Sequence, residues 1–159
     1  MDKDVRVRPA TFRDITTIVD FNEAMALETE SKTLSRSILE AGVRAVFEEP
    51  KRGFYRVAEI LERVVGCVMI TYEWSDWRNG DWWWLQSVYV HADFRRHGVF
   101  RAMYDDVESS ARATSGVVGV RLYVEKSNHR AQSTYTSLGM HEAEYAMFAK
   151  TIDPRIAAN

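Results

Sequence analysis

The run from Trp82 to Val90 (WWWLQSVYV) constrains the fold more strongly than any other stretch, because both of its alternating faces are apolar. Side chains of a strand point to opposite sides in turn, so such a run needs cover on both sides. One predicted face carries Trp82, Trp84, Val88 and Val90, and the other carries Trp83, Leu85 and Tyr89. The sequence therefore predicts a central strand with a packed layer on each side.

Strand and helix periodicities alternate along the rest of the 159 residues. The predicted strands are residues 5–9, 54–60, 64–74, 82–90, 119–124 and 145–152, and the predicted helices are 12–30, 35–47, 99–112 and 128–138. Helix 99–112 lies between two strands, which predicts a parallel crossover. We expect an α/β fold in which a mixed, mostly antiparallel sheet is flanked by helices, built as a single domain of residues 1–159.

Composition excludes several classes of protein. Acidic residues outnumber basic ones by 23 to 21, which argues against a nucleic-acid partner. No stretch approaches the roughly 18 apolar residues of a membrane span, and no apolar signal region opens the chain, so we expect no membrane association and a cytoplasmic location. The single Cys67 is expected to be a small buried strand residue, and the four histidines lack metal-ligand spacing, so we predict no metal site.

A basic turn with one glycine stands directly before helix 99–112 (FRRHGVFRAMYDD). A helix N-terminus leaves backbone amides unpaired and carries partial positive charge. Gly98 allows close backbone approach, and Arg95 and Arg96 can donate charge-assisted hydrogen bonds. These features predict a phosphate-binding loop, with an ordinary basic turn that caps a surface helix as the alternative.

The stretch VYVHADFRRHGVFRAMY resembles the acetyl-CoA signature of the GCN5-related N-acetyltransferases (GNAT), a strand followed by [Q/R]-x-x-G-x-[G/A] and a helix. Arg95 and Gly98 stand at the matching positions, whereas the last motif position, usually Gly or Ala, is Phe100. A second stretch, LYVEKSNHRAQSTYTSLGM, is similar to the family's next strand and helix. The resemblance implies the GNAT fold over nearly the whole chain and acetyl-CoA as the acetyl donor, and it allows a homodimer.

The resemblance also implies roles for particular residues. Backbone groups of Val88, Tyr89 and Val90 would pair with the pantetheine arm. The pyrophosphate would be held by the loop and the helix start, formed by Arg95, Arg96, His97, Gly98, Val99, Phe100 and Arg101. Asn128 and Tyr135 would lie near the thioester, and Ala131 would also contact the cofactor.

Direct acetyl transfer requires a deprotonated amine and a proton for the departing thiolate. Tyr135 stands where the family carries its general acid, and packing on a helix is the alternative role. Gln86 and Ser87 stand where several members carry a carboxylate base, and a water held by these two side chains could relay the proton instead. Glu28 and Glu30 are alternative candidates for the base that could also attract a cationic amine, or they belong to a solvated helix end.

Aromatic residues are concentrated between Tyr72 and Trp84. Trp82 to Trp84 are expected to pack in the core, whereas Tyr72, Trp74 and Trp77 are candidates for a substrate pocket. This region weakly resembles the polyamine acetyltransferases of the same family, which implies a small-molecule amine such as a diamine or polyamine. A catalytically inactive acyl-CoA-binding sensor is the alternative function, and a base-stacking nucleic-acid module ranks last.

Overall fold

The computed structural model describes residues 4–156, and its chain divides into two compact units, one ending at Tyr123 and one beginning at Val124. The strands of the first unit are β1 (Arg6–Pro9), β2 (Phe54–Ile60), β3 (Arg63–Ser75), β4 (Gly80–Val90) and β5 (Val117–Leu122). Its helices are α1 (Ile15–Glu30), α2 (Arg36–Glu48) and α3 (Val99–Ala113). This order matches the periodicities of the sequence up to residue 123.

The five strands form one sheet in the order β1-β2-β3-β4-β5. Each neighbouring pair is antiparallel except β4 and β5, which are parallel and joined through α3. The mixed, mostly antiparallel sheet and its single parallel crossover are therefore confirmed.

Helices cover both faces of the sheet. One face packs against α1 and α2 in a core formed by Ile15, Ile18, Val19, Phe21, Val43, Tyr55, Val57, Cys67 and Tyr89. Arg56, whose side chain points away from the neighbouring Tyr55 and Val57, pairs on the opposite face with Asp106 of α3 at 2.9 Å. We call these the α1 face and the α3 face.

A bulge in β4 alters the predicted alternation of its side chains. Cys67 pairs with Tyr89 and Met69 pairs with Gln86, so β3 advances by two residues where β4 advances by three. Ser87, within the bulge, has a left-handed φ of 49°. The extra residue moves Tyr89 onto the α1 face, beside Cys67. The predicted grouping of Tyr89 with Trp83 and Leu85 was therefore wrong.

The second unit contains α4 (His129–Ser137), which Asn128 caps by accepting a hydrogen bond from the Ala131 amide at 3.1 Å. The predicted strand at residues 145–152 was wrong, because the backbone there forms no ladder. A strand needs a hydrogen-bonded neighbour, and the described part of this unit, residues 124–156, holds no other strand.

Among residues 4–156, no helix is both long enough and apolar enough to cross a membrane.

Candidate functional site

Strand β4 continues beyond the strand beside it. Its parallel register with β5 ends at Leu85, opposite Leu122, whereas β4 itself runs on to Val90. Within the described residues, the β5-side edge of β4 from Gln86 to Val90 therefore has no strand partner. Backbone groups along such an edge can pair with an extended ligand.

The loop after β4 enters α3 through two residues with left-handed backbone. Arg96 has a φ of 66° and Gly98 a φ of 74°, and Gly98 directly precedes the first turn of α3. A Cβ at Gly98 would meet no heavy atom within 4 Å, so this position faces open space. The first amides of α3 have no partners inside the helix and lie at the positive end of its dipole. This junction can therefore hold an anion.

Phe100 lies in the first turn of α3. Its ring lies 6.3 Å from the ring of Tyr104, one turn further along the helix. This aromatic contact directs the Phe100 side chain along α3, while its backbone amide belongs to the helix start.

The two arginines of the loop are in different surroundings. Arg95 donates from Nε to the Val90 carbonyl at 3.0 Å and from Nη2 to Glu28 Oε2 at 2.6 Å. The ion pairs of the described residues include Arg95 but not Arg96. Nδ1 of His97 lies 2.9 Å from the carbonyl of Arg95 and tightens the turn. Arg96 is thus the arginine of this loop whose charge is available to an incoming anion.

Glu28, near the end of α1, uses both of its carboxylate oxygens. Oε1 accepts a hydrogen bond from the Tyr89 hydroxyl at 2.9 Å, and Oε2 accepts from Arg95. The Arg95 hydrogen bond holds the pKa of Glu28 below its usual range, despite partial burial. Burial and the Glu28 carboxylate raise the pKa of Tyr89. Glu28 is therefore an ionised carboxylate with both oxygens hydrogen-bonded. Glu30 is exposed, and its Oε2 lies 3.7 Å from Nζ of Lys32.

Gln86 and Ser87 lie in and beside the bulge. The Gln86 amide donates to the Thr71 hydroxyl at 2.6 Å on the α1 face, and the Ser87 carbonyl lies 3.7 Å from the Cys67 sulfur. Burial raises the pKa of the Cys67 thiol to about 12. Cys67 is fully buried, which confirms its expected place in the core and leaves no thiolate at neutral pH for nucleophilic work.

The candidate substrate residues lie on different parts of the first unit. The Tyr72 ring contacts the Phe54 ring at 6.3 Å on the α3 face, whereas Glu28 bonds to Tyr89 of the α1 face. Trp74 and Trp77 are 61% and 88% exposed, at the end of the β3–β4 hairpin. The structure does not bring Tyr72 and Glu28 together, because they lie on opposite faces of the sheet.

The tryptophans of β4 differ in burial. Trp83 is buried on the α3 face, as expected of a core residue, but Trp82 and Trp84 are half-buried. The guanidinium of Arg121 lies 3.8 Å from the Trp82 ring centre, and its Nη1 lies 2.6 Å from Glu73. This cation–aromatic cluster could not be predicted from the sequence, because its members come from three strands whose register no local pattern reveals.

In the second unit, Asn128 and Ala131 form the cap of α4 described above, and Tyr135 follows within the same helix. Burial raises the pKa of Tyr135, so its phenol is protonated at neutral pH. Among residues 4–156, no group of three or more His, Cys, Asp or Glu side chains is placed to hold a metal ion.

Comparison with known proteins identifies the family. Residues 19–140 match the acetyltransferase (GNAT) family. A crystal structure described as a possible acetyltransferase from Clostridium difficile 630 is 41% identical, with a TM-score of 0.87, and the match covers 94% of this chain and 98% of that one. No match was found among curated proteins.

Two more distant structures share the fold. One is a ribosomal-protein-alanine N-acetyltransferase from Brucella melitensis biovar Abortus 2308, 14% identical, with a TM-score of 0.75 and coverage of 94% and 100% of the two chains. The other, from Clostridium acetobutylicum, is described as a predicted acetyltransferase with acetyl-CoA. It is also 14% identical, with a TM-score of 0.75 and coverage of 92% and 96% of the two chains. At this identity they show the fold alone.

The mixed sheet, taken with the family match and the 41% identical structure, defines an acyltransferase. The chain belongs to the GNAT family of acetyltransferases, because the family match spans residues 19–140.

Proposed function

We propose that this chain acts as a single GNAT domain that transfers an acetyl group from acetyl-CoA to a small-molecule amine by direct attack in a ternary complex. The observation that carries the proposal is the junction of β4 and α3. An unpaired strand edge at Gln86–Val90 leads directly into a left-handed turn and a helix start. The unpaired strand edge suits an extended amide-containing arm, and the turn with the helix start suits a pyrophosphate.

The residues present fit acetyl-CoA, which supplies the acetyl thioester when bound. Backbone groups of Val88 to Val90 would pair with the pantetheine arm. Amides of Gly98 to Arg101 would hold the pyrophosphate, and the open space at Gly98 leaves room for its oxygens. Arg96 would add a charge-assisted hydrogen bond.

The proton transfers fall to a small set of side chains. A primary amine has a pKa of about 10.4 in water, so a base must remove a proton before attack. Gln86 and Ser87 cannot take a proton directly, and we propose that they hold a water that relays it. Tyr135 would protonate the departing thiolate, because its phenol, whose pKa burial raises further above neutrality, carries its proton at neutral pH.

Within the class of amines we propose a diamine or polyamine. The hairpin end between β3 and β4 offers the exposed indole faces of Trp74 and Trp77, with the carboxylate of Asp76 between them in sequence. Aromatic faces and carboxylates together suit a substrate with more than one ammonium group. A panel of monoamines, diamines and polyamines at equal concentration tests this preference.

Isothermal titration with acetyl-CoA, desulfo-CoA and ATP tests the cofactor assignment. We expect saturable binding of both CoA compounds and none of ATP, because ATP lacks the pantetheine arm that would pair with β4. Absence of CoA binding at millimolar ligand would overturn the proposal. Light scattering on the same sample tests the homodimer that the family resemblance allows.

Turnover separates an enzyme from a sensor. Free thiol released from acetyl-CoA in the presence of the amine panel would support transfer. Binding of CoA without turnover of any amine would favour the acyl-CoA-binding sensor. Its supporting features are the bulky Phe100 and the Gln86 amide, which is bonded to Thr71 where several family members carry a carboxylate.

Tyr135→Phe tests the proposed acid. Removal of the hydroxyl should lower kcat about 10²-fold or more while the Kd of acetyl-CoA changes little, because the hydroxyl acts on the leaving group. Steady-state kinetics at saturating amine, with titration of the same sample, measures both. A variant that retains full kcat would remove Tyr135 from this role.

A further inference from the structure

The side chain of Arg95 is held at three points of the first unit. Nε donates to the Val90 carbonyl at 3.0 Å, and Nη2 donates to Glu28 at 2.6 Å. Its guanidinium also lies 5.5 Å from the ring centre of Tyr89. These contacts fold the side chain back toward the end of β4 and the end of α1.

Glu28, which accepts the hydrogen bond from Arg95 Nη2, is itself held in place. The other carboxylate oxygen of Glu28 accepts a hydrogen bond from the Tyr89 hydroxyl at 2.9 Å. The Tyr89 ring packs against the ring of Phe21 in α1, with 5.1 Å between the ring centres. Tyr89 belongs to the buried core of the α1 face. The chain of contacts therefore runs from the core through Glu28 to the first residues of the loop that leads to α3.

We propose that Glu28 is a positioning residue for acetyl-CoA, which acts through Arg95 to hold the loop after β4 in the conformation that receives the pyrophosphate. The inference rests on the proposed function and deepens it. Arg96 and Gly98 take left-handed conformations directly after the anchored residue, and such a turn presents its amides correctly only if its start is fixed. Glu28 thus serves the cofactor side of the site and neither binds the amine nor removes its proton.

If Arg95 instead bound the phosphate directly, the expected effect of Glu28→Gln on CoA affinity would be reversed. If Arg95 left Glu28 to bind phosphate, the carboxylate would compete with the ligand, and Glu28→Gln would tighten CoA binding. Removal of a negative charge near an anion site would also tighten binding by electrostatics alone. In the positioning role, Glu28→Gln loosens the loop and weakens binding.

The experiment titrates desulfo-CoA into the wild type, Glu28→Gln, Arg95→Gln and the double variant. Both partners of the pair are roughly half exposed, at 40% and 46% of the side-chain surface. We therefore expect each single variant to raise the Kd about three- to tenfold. The double variant should bind no more weakly than Arg95→Gln alone, because Arg95→Gln already lacks the link to Glu28.

Glu108→Gln is the matched control. It removes one negative charge from α3 and breaks an ion pair with Arg112 of the same 2.6 Å length, away from the helix start, so its Kd should match the wild type. Arg96→Gln provides the contrast. It should weaken binding and reduce its dependence on salt, whereas Arg95→Gln should leave the salt dependence unchanged.

Kinetics separates positioning from a role on the amine. Glu28→Gln should raise the KM of acetyl-CoA while kcat and the KM of the amine stay within about twofold of the wild type. Tighter CoA binding, additive losses, or a change confined to kcat or the amine KM would overturn the inference. If the wild type binds CoA and Glu28→Gln binds equally well, the positioning role alone fails, whereas a wild type that binds no CoA defeats the proposed function itself.

Discussion

Arg8 of β1 joins two acidic side chains at the start of the first unit. Its two Nη atoms bind both oxygens of Asp14 at 2.8 and 3.0 Å, and its Nε binds Glu59 at 2.7 Å. The Thr11 amide also donates to Asp14, at 2.7 Å. Burial alone would raise the pKa of Asp14, but the hydrogen bonds from Arg8 and Thr11 outweigh it and lower the pKa.

Asp14→Asn should therefore destabilise the protein at neutral pH. Loss of the bidentate bond from Arg8 to a buried carboxylate is expected to lower the free energy of unfolding by about 1–3 kcal/mol. A group with a lowered native pKa contributes its full stability above its unfolded pKa, near 3.9, and loses it as pH falls through the native value. Urea unfolding at pH 7 and below pH 4 should show the wild type's advantage at pH 7 and its decline in acid.

Asp105→Asn is the control for this prediction. Asp105 forms an exposed i,i+4 pair with Arg101, and its loss should cost at most about 0.5 kcal/mol. An Asp14→Asn variant as stable as this control, or a difference that grows in acid, would contradict the role of the Arg8 pair.

The sequence was sufficient to predict the structural roles of residues that depend on neighbours close by in the chain. Thr11 and Asp14, three residues apart, form a capping box at the start of the helical segment, a pattern that local spacing encodes. Cys67 lies in the core because its whole strand is apolar. The pairing of Glu28 with Arg95 could not be predicted, because it depends on where α1 ends relative to a loop 67 residues later in the chain.

At the scale of elements, α3 approaches β3 at a glycine. A Cβ on Gly66 would lie 3.0 Å from the Tyr89 carbonyl oxygen, and 3.1 and 3.3 Å from side-chain atoms of Val99 and Met103. Both of those α3 side chains are buried. The closeness of helix and sheet, and with it the position of the helix start, therefore depends on the absence of a side chain at residue 66.

Gly66→Ala should lower the free energy of unfolding by about 1–3 kcal/mol through overpacking. Gly42→Ala is the matched substitution, because a Cβ on Gly42 of α2 meets nothing within 4 Å, and it should stabilise the helix by up to about 1 kcal/mol. Thermal unfolding followed by circular dichroism compares the two variants. A Gly66→Ala protein that melts at or above the wild-type temperature would mean that α3 adjusts without cost.

Helices and strands could be predicted where the spacing of apolar residues within one segment indicates them. Features that depend on how distant strands pair could not. The order of strands and helices follows from side-chain spacing within each segment. The bulge at Ser87 escaped prediction because it exists only in the register of β4 against β3. Residues 145–152 have the composition of a strand, but composition does not supply the neighbour that a strand requires.

The proposed cofactor site is built from the same strands and helix that form the hydrophobic core of the first unit. The helix start that would hold the pyrophosphate begins with Val99, which is buried, and the open strand edge begins just after Leu85, which is also buried. Unfolding of the first unit must therefore destroy the site, so CoA should bind the native state and not the unfolded chain.

Acetyl-CoA should consequently raise the melting temperature. At a free concentration of 100 times its Kd, binding adds about 2.7 kcal/mol to the free energy of unfolding, which for a chain of this size corresponds to about 5–11 °C. Differential scanning calorimetry with acetyl-CoA, desulfo-CoA and ATP measures the shift, which ATP should not produce. At the same ligand concentration, a loop variant that binds tenfold more weakly should gain only about 1.4 kcal/mol, near half the shift. CoA that binds by titration but leaves the melting temperature unchanged would mean that it binds the native and unfolded chains equally, which would contradict a site that depends on the folded core.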